Sequence, residues 1–257
     1  MDLLFIILLG VVGTYGALAV LEAERPARVL PHVPGWRVKG GVFLVLGLVM
    51  TSVLPMLWDA FLGEHRLIDA TGLGTWVGAV YGFVVLEIGV YFWHRTVHGL
   101  PLLWRAHQMH HSAERVDIWG SMLFHPLDLA GFSFVYSFML VMVAGVSAEA
   151  ALIANLTATF CSMFQHANIR TPRWLGYIIQ RPESHAAHHE RGIHAYNYSD
   201  LPLLDIIFCT FKNPERFQGK NGFYDGASAR VPEMLAGIDV SEPRRDSDDR
   251  ISGPLAA

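Results

Sequence analysis

Histidine is the residue type with the clearest potential for chemistry in this sequence of 257 residues, where it occurs 13 times. Most of these histidines fall into three short motifs, which are His94-x3-His98, His107-x2-His110-His111 and His185-x2-His188-His189. On a helix, positions i, i+3 and i+4 project from the same side, so each motif can aim two or three imidazoles at a common point. Because imidazole is a common metal ligand, the spacing predicts metal binding.

The number of clustered imidazoles indicates more than one metal ion. A tetrahedral zinc ion takes four ligands, and a catalytic zinc ion keeps three protein ligands and a water. Three motifs with two or three histidines each therefore predict two ions. Imidazole binds iron, zinc, copper and nickel alike, so the ligand type alone leaves the element open.

The composition is typical of a membrane protein. Hydrophobic residues make up 52% of the chain and charged residues only 16%. The net charge is −4 and no basic run is present, which argues against nucleic-acid binding. The two cysteines are far apart and form no C-x-x-C pair, which argues against disulfide frameworks, iron–sulfur clusters and thiolate zinc sites.

Five apolar segments are long enough to be spanning helices. They lie at residues 3–23, 41–63 and 72–93, with two more between His125 and His166. A cleaved signal peptide is the alternative for the first segment, but only Asp2 and no basic residue precedes it, so a retained span is favoured. The last two segments form a hairpin that returns His125 and His166 to the same membrane face. We expect an all-α, multi-pass membrane helical bundle with about four to five spanning helices and a cytoplasmic helical cap that carries the histidines.

Basic residues predict the orientation of this bundle. The link between the first two segments has four of them, whereas residues 64–69 contain only Arg66. The positive-inside rule places the first link in the cytoplasm, and alternation then places every histidine motif on that side. The third segment carries Gly74, Gly78 and Gly82 at intervals of four, which predicts a smooth face for close helix packing. Glycine that is merely tolerated in a membrane helix is an equally good interpretation.

The motifs carry a family resemblance. The pattern HRTVH, HQMHHS, FHPLD, FQHANI and HAAHHE, followed by NYSDLPLLDIIFCTF, resembles the fatty acid hydroxylase and sterol desaturase superfamily over residues 85–211. The resemblance implies a membrane-bound di-iron centre that uses O2 and electrons from a separate donor to hydroxylate or desaturate a lipid. It also implies the iron ligands, which are His94, His98, His107, His110, His111, His185, His188 and His189. Asp128 stands where many members of the superfamily have Glu.

Several further residues are candidates for the site. His125 and His166 match family positions near the metals and are predicted as ligands, with hydrogen bonding at a helix end as the alternative. His194 follows the last motif, and its role stays open. Glu87 lies two helical turns before His94, in an apolar segment where an ionisable group is costly. It is predicted to orient a metal-bound imidazole, with a structural hydrogen bond as the alternative, and Tyr91 is predicted to act similarly.

The sequence thus predicts a non-haem di-iron oxidoreductase of lipid biosynthesis that acts on a sterol, hopanoid or fatty acyl chain. Its cofactors are two iron ions, which zinc could replace in a purified form, and its co-substrate is O2. No dinucleotide fingerprint is present, so we expect an external electron donor of the ferredoxin or cytochrome type. The expected location is the inner membrane of a bacterium or the endoplasmic reticulum of a eukaryote.

Three other functions are alternatives for this sequence, namely a carotenoid ring hydroxylase, a membrane haem protein and a metal transporter or binding protein. A carotenoid ring hydroxylase would use the same chemistry. A haem protein would need lone histidines within spans, and a metal transporter would need several ionisable groups there.

The expected organisation has three parts. Residues 1–73 form the N-terminal membrane helices and links, and residues 74–215 form the catalytic region. Residues 216–257 form a polar C-terminal tail, of which the charged segment 241–257 is predicted to be disordered.

Overall fold

Helices form the whole of the regular structure in the computed structural model, which describes residues 3–243 and the side chains from Leu9 onward. In chain order they are α1 (Leu3–Glu24), α2 (Trp36–Val53), α3 (Asp59–Glu64), α4 (Thr75–Gly99), α5 (Pro101–His111), α6 (Pro126–Ser137), α7 (Ala148–His166), α8 (Pro182–His188), α9 (Leu203–Ile207) and α10 (Val231–Leu235). No strand occurs among residues 3–243. The prediction of an all-α fold is confirmed.

Three helical stretches in the described residues are long and apolar enough to cross a membrane, namely Trp36–Leu57, Thr75–Gly99 and Pro126–Val143. The first ends earlier than the predicted segment 41–63, because a 3-10 turn at Leu54–Leu57 that contains Pro55 ends α2. The third is α6 continued by a π-helix over Phe138–Val143. The count of four to five spans stays a prediction.

The pair α4 and α7 forms the centre of the bundle. Leu86 on α4 and Ala150, Ala154 and Ala158 on α7 are almost fully buried in one hydrophobic cluster. A Cβ on Gly78 would lie 3.1 Å from the Cβ of Ala150, so glycine permits this close approach. The predicted glycine face is thus partly present. Gly74 is not on it, because Gly74 has φ +72° and precedes the first turn of α4.

The end of α1 fastens two links that surround the histidines. The Glu22 carboxylate accepts hydrogen bonds from the backbone N–H of Ile118 (2.9 Å) and of Asn168 (2.8 Å). Helix α2 contacts the first of these links at Gly40, where a Cβ would overlap the carbonyl oxygen of Trp119. The neighbouring indole N–H of Trp36 donates to the Asp117 carboxylate at 2.8 Å. These contacts hold residues 112–125 against the ends of the long helices.

Residues after 216 pack onto α5. Phe223, Ala227, Met234 and Val240 are buried in one cluster with Met109. This cluster covers the outer side of the histidine-bearing helix up to Val240. The segment 241–257 is predicted to be disordered, and its residues from Arg244 onward are not among those that the structure describes.

Candidate metal centre

The histidines form two adjacent groups, and in each group one nitrogen per ring lies within 4.8 Å of the others. The five-histidine group consists of His94, His98, His107, His111 and His188. The four-histidine group consists of His110, His166, His185 and His189. All of these rings are buried except that of His98, which is half-buried. The structure therefore offers two candidate metal sites.

Each H-x-x-H-H motif is divided between the two groups. Helix α5 contributes His107 and His111 to the five-histidine group and His110 to the other. The last motif reverses this order, since His185 and His189 belong to the four-histidine group and His188 to the five-histidine group. Positions i and i+4 lie on the same helix face, whereas adjacent residues are rotated by about 100°. The sequence predicted that the rings of each motif meet at one point. In the structure the first and third histidines of each motif join one group, and the second histidine joins the other group.

The Nε2 atoms converge in the five-histidine group. The His107 Nε2 lies 3.1 Å from the Nε2 of His98 and 3.1 Å from the Nε2 of His111. The His98 Nε2 lies 3.3 Å from that of His94. The His188 Nε2 is buried and has no hydrogen-bond partner within the described part of the chain.

The four-histidine group has the same arrangement. The His166 Nε2 lies 3.0 Å from the Nε2 of both His110 and His185. The Nε2 atoms of His185 and His189 are also 3.0 Å apart. The His110 ring stacks on Phe124 with a centroid distance of 4.2 Å.

This convergence fits metal binding better than hydrogen bonding between rings. A neutral imidazole has one N–H and one lone pair, so a ring that donates from Nδ1 presents only a lone pair at Nε2. Several lone pairs at one point repel each other unless a cation lies between them. Two nitrogens that bind one ion at about 2.1 Å and at right angles are about 3.0 Å apart, close to the observed spacing. The donor set of each group therefore fits a metal ion.

Hydrogen-bond acceptors at Nδ1 fix the Nδ1-protonated tautomer of three of the five rings in the five-histidine group. The His107 Nδ1 donates to the Asp128 carboxylate at 2.9 Å, and both side chains are buried. The His94 Nδ1 donates to the carbonyl of Tyr198 at 2.9 Å, and the His188 Nδ1 to that of Tyr196 at 2.6 Å. Partners of this kind orient a ligating imidazole and raise its basicity.

The four-histidine group is less well anchored. The His166 Nδ1 donates to the carbonyl of Ser162 at 2.6 Å. The Nδ1 atoms of His110, His185 and His189 are buried without a partner among the described residues. The two groups thus differ both in the number of rings and in how firmly the rings are held.

A single loop supplies backbone carbonyls to two rings of the five-histidine group, since Tyr196 and Tyr198 accept from His188 and His94. His194, Tyr196 and Asn197 all have positive φ, a conformation that is costly for these residue types. The Asn197 side chain holds the loop, because its Nδ2 donates to the Ser184 carbonyl at 2.8 Å and to the Lys212 carbonyl at 2.9 Å.

Glu87 acts on this loop rather than on a ring. Its Oε2 accepts the backbone N–H of Asp200 at 2.7 Å and of Leu201 at 3.1 Å. Those residues follow Tyr198, whose carbonyl accepts from His94. The predicted orienting role of Glu87 is therefore possible only through the backbone. Tyr91 lies further away, where its hydroxyl contacts Thr210 (3.1 Å) and Arg95 (3.0 Å).

Burial keeps the rings outside the spanning segments neutral. Desolvation lowers the pKa of these imidazoles well below the usual value, and neighbouring imidazoles lower the pKa further. The rings concerned are those of His110, His111, His185, His188 and His189. Neutral imidazole is the form that binds a metal ion.

Comparison with known proteins agrees with this geometry. The fatty acid hydroxylase family profile matches residues 79–210, a stretch that contains both histidine groups. The chain belongs to the fatty acid hydroxylase family. It is 30% identical to ornithine lipid hydroxylase OlsE of Rhizobium tropici over 142 residues, which are 53% of this chain and 42% of that protein. It is 28% identical to human alkylglycerol monooxygenase over 141 residues, 54% of this chain and 31% of that protein.

Human lathosterol oxidase is a further relative of this fatty acid hydroxylase family member. The two are 28% identical over 171 residues, 65% of this chain and 54% of that protein. The chain thus spans between about a third and about half of the length of these relatives. No solved structure shows a significant match.

Two histidines outside the three motifs have different surroundings. His125, predicted as a ligand, is in neither group, and its Nδ1 accepts the backbone N–H of Leu127 at 3.0 Å as the N-cap of α6. His166, also predicted as a ligand, is a member of the four-histidine group. His194 is also in neither group, and its Nδ1 lies 3.1 Å from that of His111.

Sequence reasoning missed the acceptors of the imidazoles. In the sequence Asp128 differs from the family pattern, but an acidic residue in the first turn of an apolar helix, three positions after His125, is a usable signal. The carbonyls of Tyr196 and Tyr198 carry no sequence signal, because every residue has such an oxygen.

Proposed function

We propose that this protein is a membrane-bound di-iron enzyme that uses O2 to oxidise a C–H bond of a lipid. The observation that carries the proposal is the pair of adjacent groups of buried Nε2 atoms, in a chain that has three apolar helices of spanning length. Family membership and the names of the relatives support a lipid-oxidising activity.

Iron suits the proposed reaction because it combines imidazole ligation with redox chemistry toward O2. In hydroxylation, one oxygen atom enters the C–H bond and the other leaves as water, with two electrons and two protons supplied from outside. In desaturation, two hydrogens leave the lipid, two electrons and two protons again come from outside, and both oxygen atoms become water. The same ligand set serves either reaction.

The histidines of the chain would hold the ions, and the residues around them would keep the rings in place. Asp128 and the carbonyls of Tyr196 and Tyr198 retain the Nδ1 protons, so that the Nε2 lone pairs face inward. Burial excludes bulk water from the rings, which prevents their protonation and limits side reactions.

The lipid would approach from the side of α6. Phe132 lies on the apolar stretch Pro126–Val143. Its ring centroid is 5.8 Å from that of His94 and 6.1 Å from that of His107. The ring centroid of Phe124 is 6.2 Å from that of Phe132, and Phe124 stacks on His110 of the four-histidine group. Both phenylalanines are half-buried, so they form an apolar surface next to both groups.

The substrate class follows from the relatives and from this apolar surface. The names of the relatives refer to an ornithine lipid, an alkylglycerol and lathosterol. We propose a long-chain or sterol-like lipid as the substrate. The reaction would take place on the cytoplasmic side, with electrons from a separate ferredoxin-type or cytochrome-type donor.

Metal content and lipid products test the proposal together. His110→Ala removes a member of the four-histidine group, and His188→Ala removes a member of the other group. Each variant is expected to lose metal and to lose at least about 99% of lipid turnover, because a missing ligand leaves the remaining donors short of a complete set. Elemental analysis measures the metal per chain, and mass spectrometry of cellular lipids measures the products.

The matched control is His32→Ala, which removes an exposed histidine of the α1–α2 link. This variant is expected to keep both metal and turnover. A product heavier by one oxygen atom indicates hydroxylation, and one lighter by two hydrogens indicates desaturation. Full metal content and full turnover in both His110→Ala and His188→Ala would refute the proposal.

A further inference from the structure

A cleft of about 180 Å³ lies behind the four-histidine group. Its walls come from five places, namely the start of the α1–α2 link, the α5–α6 link at Val116, the residues just after α7, the start of α8, and residues 216–218. The residues that matter for its chemistry are Arg28, Ala167, Arg170, Ala186 and Arg216.

The cleft carries unpaired positive charge. Arg170 and Arg216 are exposed, and neither has a hydrogen bond or ion pair with another described residue. Arg28 is half-buried, with its guanidinium 4.6 Å from the centroid of the Phe217 ring. The Arg28 guanidinium also donates to the Asn221 Oδ1 at 3.1 Å. The acidic residue of the wall, Glu183, is paired with the buried Arg181 at 2.9 Å and interacts electrostatically with Arg28, so the charges of Arg170 and Arg216 are the ones left without a partner among the described residues.

The floor of the cleft is formed by residues that are adjacent in sequence to candidate metal ligands. Ala167 follows His166, and Ala186 follows His185, so each alanine is one residue away from a member of the four-histidine group. Both alanines are almost fully buried. The backbone of α7 and α8 therefore separates the cleft from the Nε2 atoms by the thickness of one residue.

This separation excludes one kind of occupant and suits another. A lipid chain in the cleft would have to pass through the backbone to bring a C–H bond to the imidazoles. An electron needs no such opening, because it tunnels through covalent structure. The cleft therefore suits a partner that must come close to the metal site without entering it, and its unpaired arginines select for negative charge.

We propose that the cleft formed by Arg28, Arg170 and Arg216 is the docking surface for an acidic protein that carries one electron at a time. The proposal rests on the proposed function, which requires two electrons from outside for each lipid oxidised. Each docked carrier would be oxidised by one electron, and the metal site behind Ala167 and Ala186 would be reduced by one. Two successive dockings would supply one turnover.

Charge reversal in the cleft tests the proposal. The double variant R170E/R216E is compared with the parent protein and with R105E, which reverses one exposed charge on α5, outside the cleft. The full chain is held in neutral lipid nanodiscs. The probes are a reduced, acidic [2Fe–2S] ferredoxin and the soluble domain of a reduced cytochrome b5. Binding is measured by surface plasmon resonance at low salt and at about 0.15 M salt. Carrier oxidation is measured by stopped-flow absorbance.

The parent is expected to bind at least one carrier, and R170E/R216E is expected to bind it about tenfold more weakly at low salt, with a smaller salt dependence. R105E should differ from the parent by less than about threefold. Metal content and melting temperature equal to those of the parent show that the variants are folded. No binding of either carrier to the parent, or equal weakening by R105E and R170E/R216E, would overturn the proposal.

Two further outcomes separate this proposal from its alternatives. If R170E/R216E loses binding to vesicles of anionic lipid but keeps carrier binding, the cleft holds a lipid headgroup and the proposal fails. If carrier binding depends on the arginines while no lipid is oxidised, the docking surface stands and the proposed function fails. Carrier binding is thus a readout independent of turnover.

Discussion

The protonated Nδ1 of an imidazole decides what its Nε2 can bind, and the acceptors at Nδ1 are therefore as informative as the ligands themselves. Asp128 is the only charged acceptor seen for a grouped ring among the described residues, and it accepts from His107. A carboxylate at this position makes the imidazole a stronger donor to a cation than a carbonyl would.

Asp128→Asn is expected to weaken metal binding about tenfold or more, because the amide is a poorer acceptor and fixes the His107 tautomer less firmly. Competition with a chelator measures the affinity. Asp69→Asn is the control, since Asp69 is exposed in the link before α4. Equal affinities for Asp128→Asn and the parent would show that Asp128 does not support the ligand.

His125→Ala separates a capping role from a ligand role. Loss of the hydrogen bond from the Leu127 N–H is expected to lower the free energy of unfolding by about 1 kcal/mol, with unchanged metal content. Thermal unfolding in detergent and elemental analysis give the two quantities. Loss of one metal ion per chain would instead support the sequence prediction that His125 is a ligand and would contradict its exclusion from the two groups.

At the scale of helices, the spacing of the motifs predicted part of the site. Positions i and i+4 bring His107 and His111 together, as expected for one helix face. The destination of His110 could not be read from spacing, because it depends on where α7 places His166. The loop at 194–197 was equally invisible, since none of its three residues at positive φ is a glycine.

Close helix contacts also constrain the site, and Gly40 and Gly41 on α2 form a matched pair. A Cβ at Gly40 would overlap the Trp119 backbone, whereas a Cβ at Gly41 would have no atom within 4 Å. Gly40→Ala is expected to destabilise the protein by about 3 kcal/mol through overpacking. Gly41→Ala is expected to be neutral or to stabilise by about 0.5 kcal/mol, because alanine favours the helix.

Thermal unfolding of both variants in the same detergent measures the difference. Gly40→Ala should also reduce metal content, since the Trp119 link leads to Phe124, which stacks on His110. Equal melting temperatures for the two variants would contradict the close contact between α2 and this link.

At the scale of the whole molecule, the fold keeps a large set of imidazoles uncharged. Burial and neighbouring rings lower the pKa of the grouped histidines outside the spans, and burial lowers the pKa of His194 to about 4. Composition predicted the membrane character of the chain, and motif spacing predicted the metal-binding potential. Neither could predict how deeply the rings are buried, because burial depends on packing by distant segments such as Met234 and Val240.

Lower pH is therefore expected to destabilise the metal-free protein. Below a pH of about 6.5 the unfolded chain binds protons that the folded chain does not, so the free energy of unfolding falls as pH falls. For His194 alone the loss between pH 6.5 and pH 4 is about 3 kcal/mol. Urea unfolding of metal-free protein from pH 7.5 to pH 4 measures this loss, and a constant midpoint would contradict the buried neutral rings. The metal-loaded protein should lose its ions over the same range, since protons compete for the ligands.

The division of each H-x-x-H-H motif has a consequence for how this centre can change. His110 and His111 are consecutive residues on α5 that face different groups, and His188 and His189 do the same at the end of α8. Turning either helix by one position would displace nitrogen donors of both groups at the same time. Neither group can therefore be rearranged by a small shift of α5 or α8 without disturbing the other.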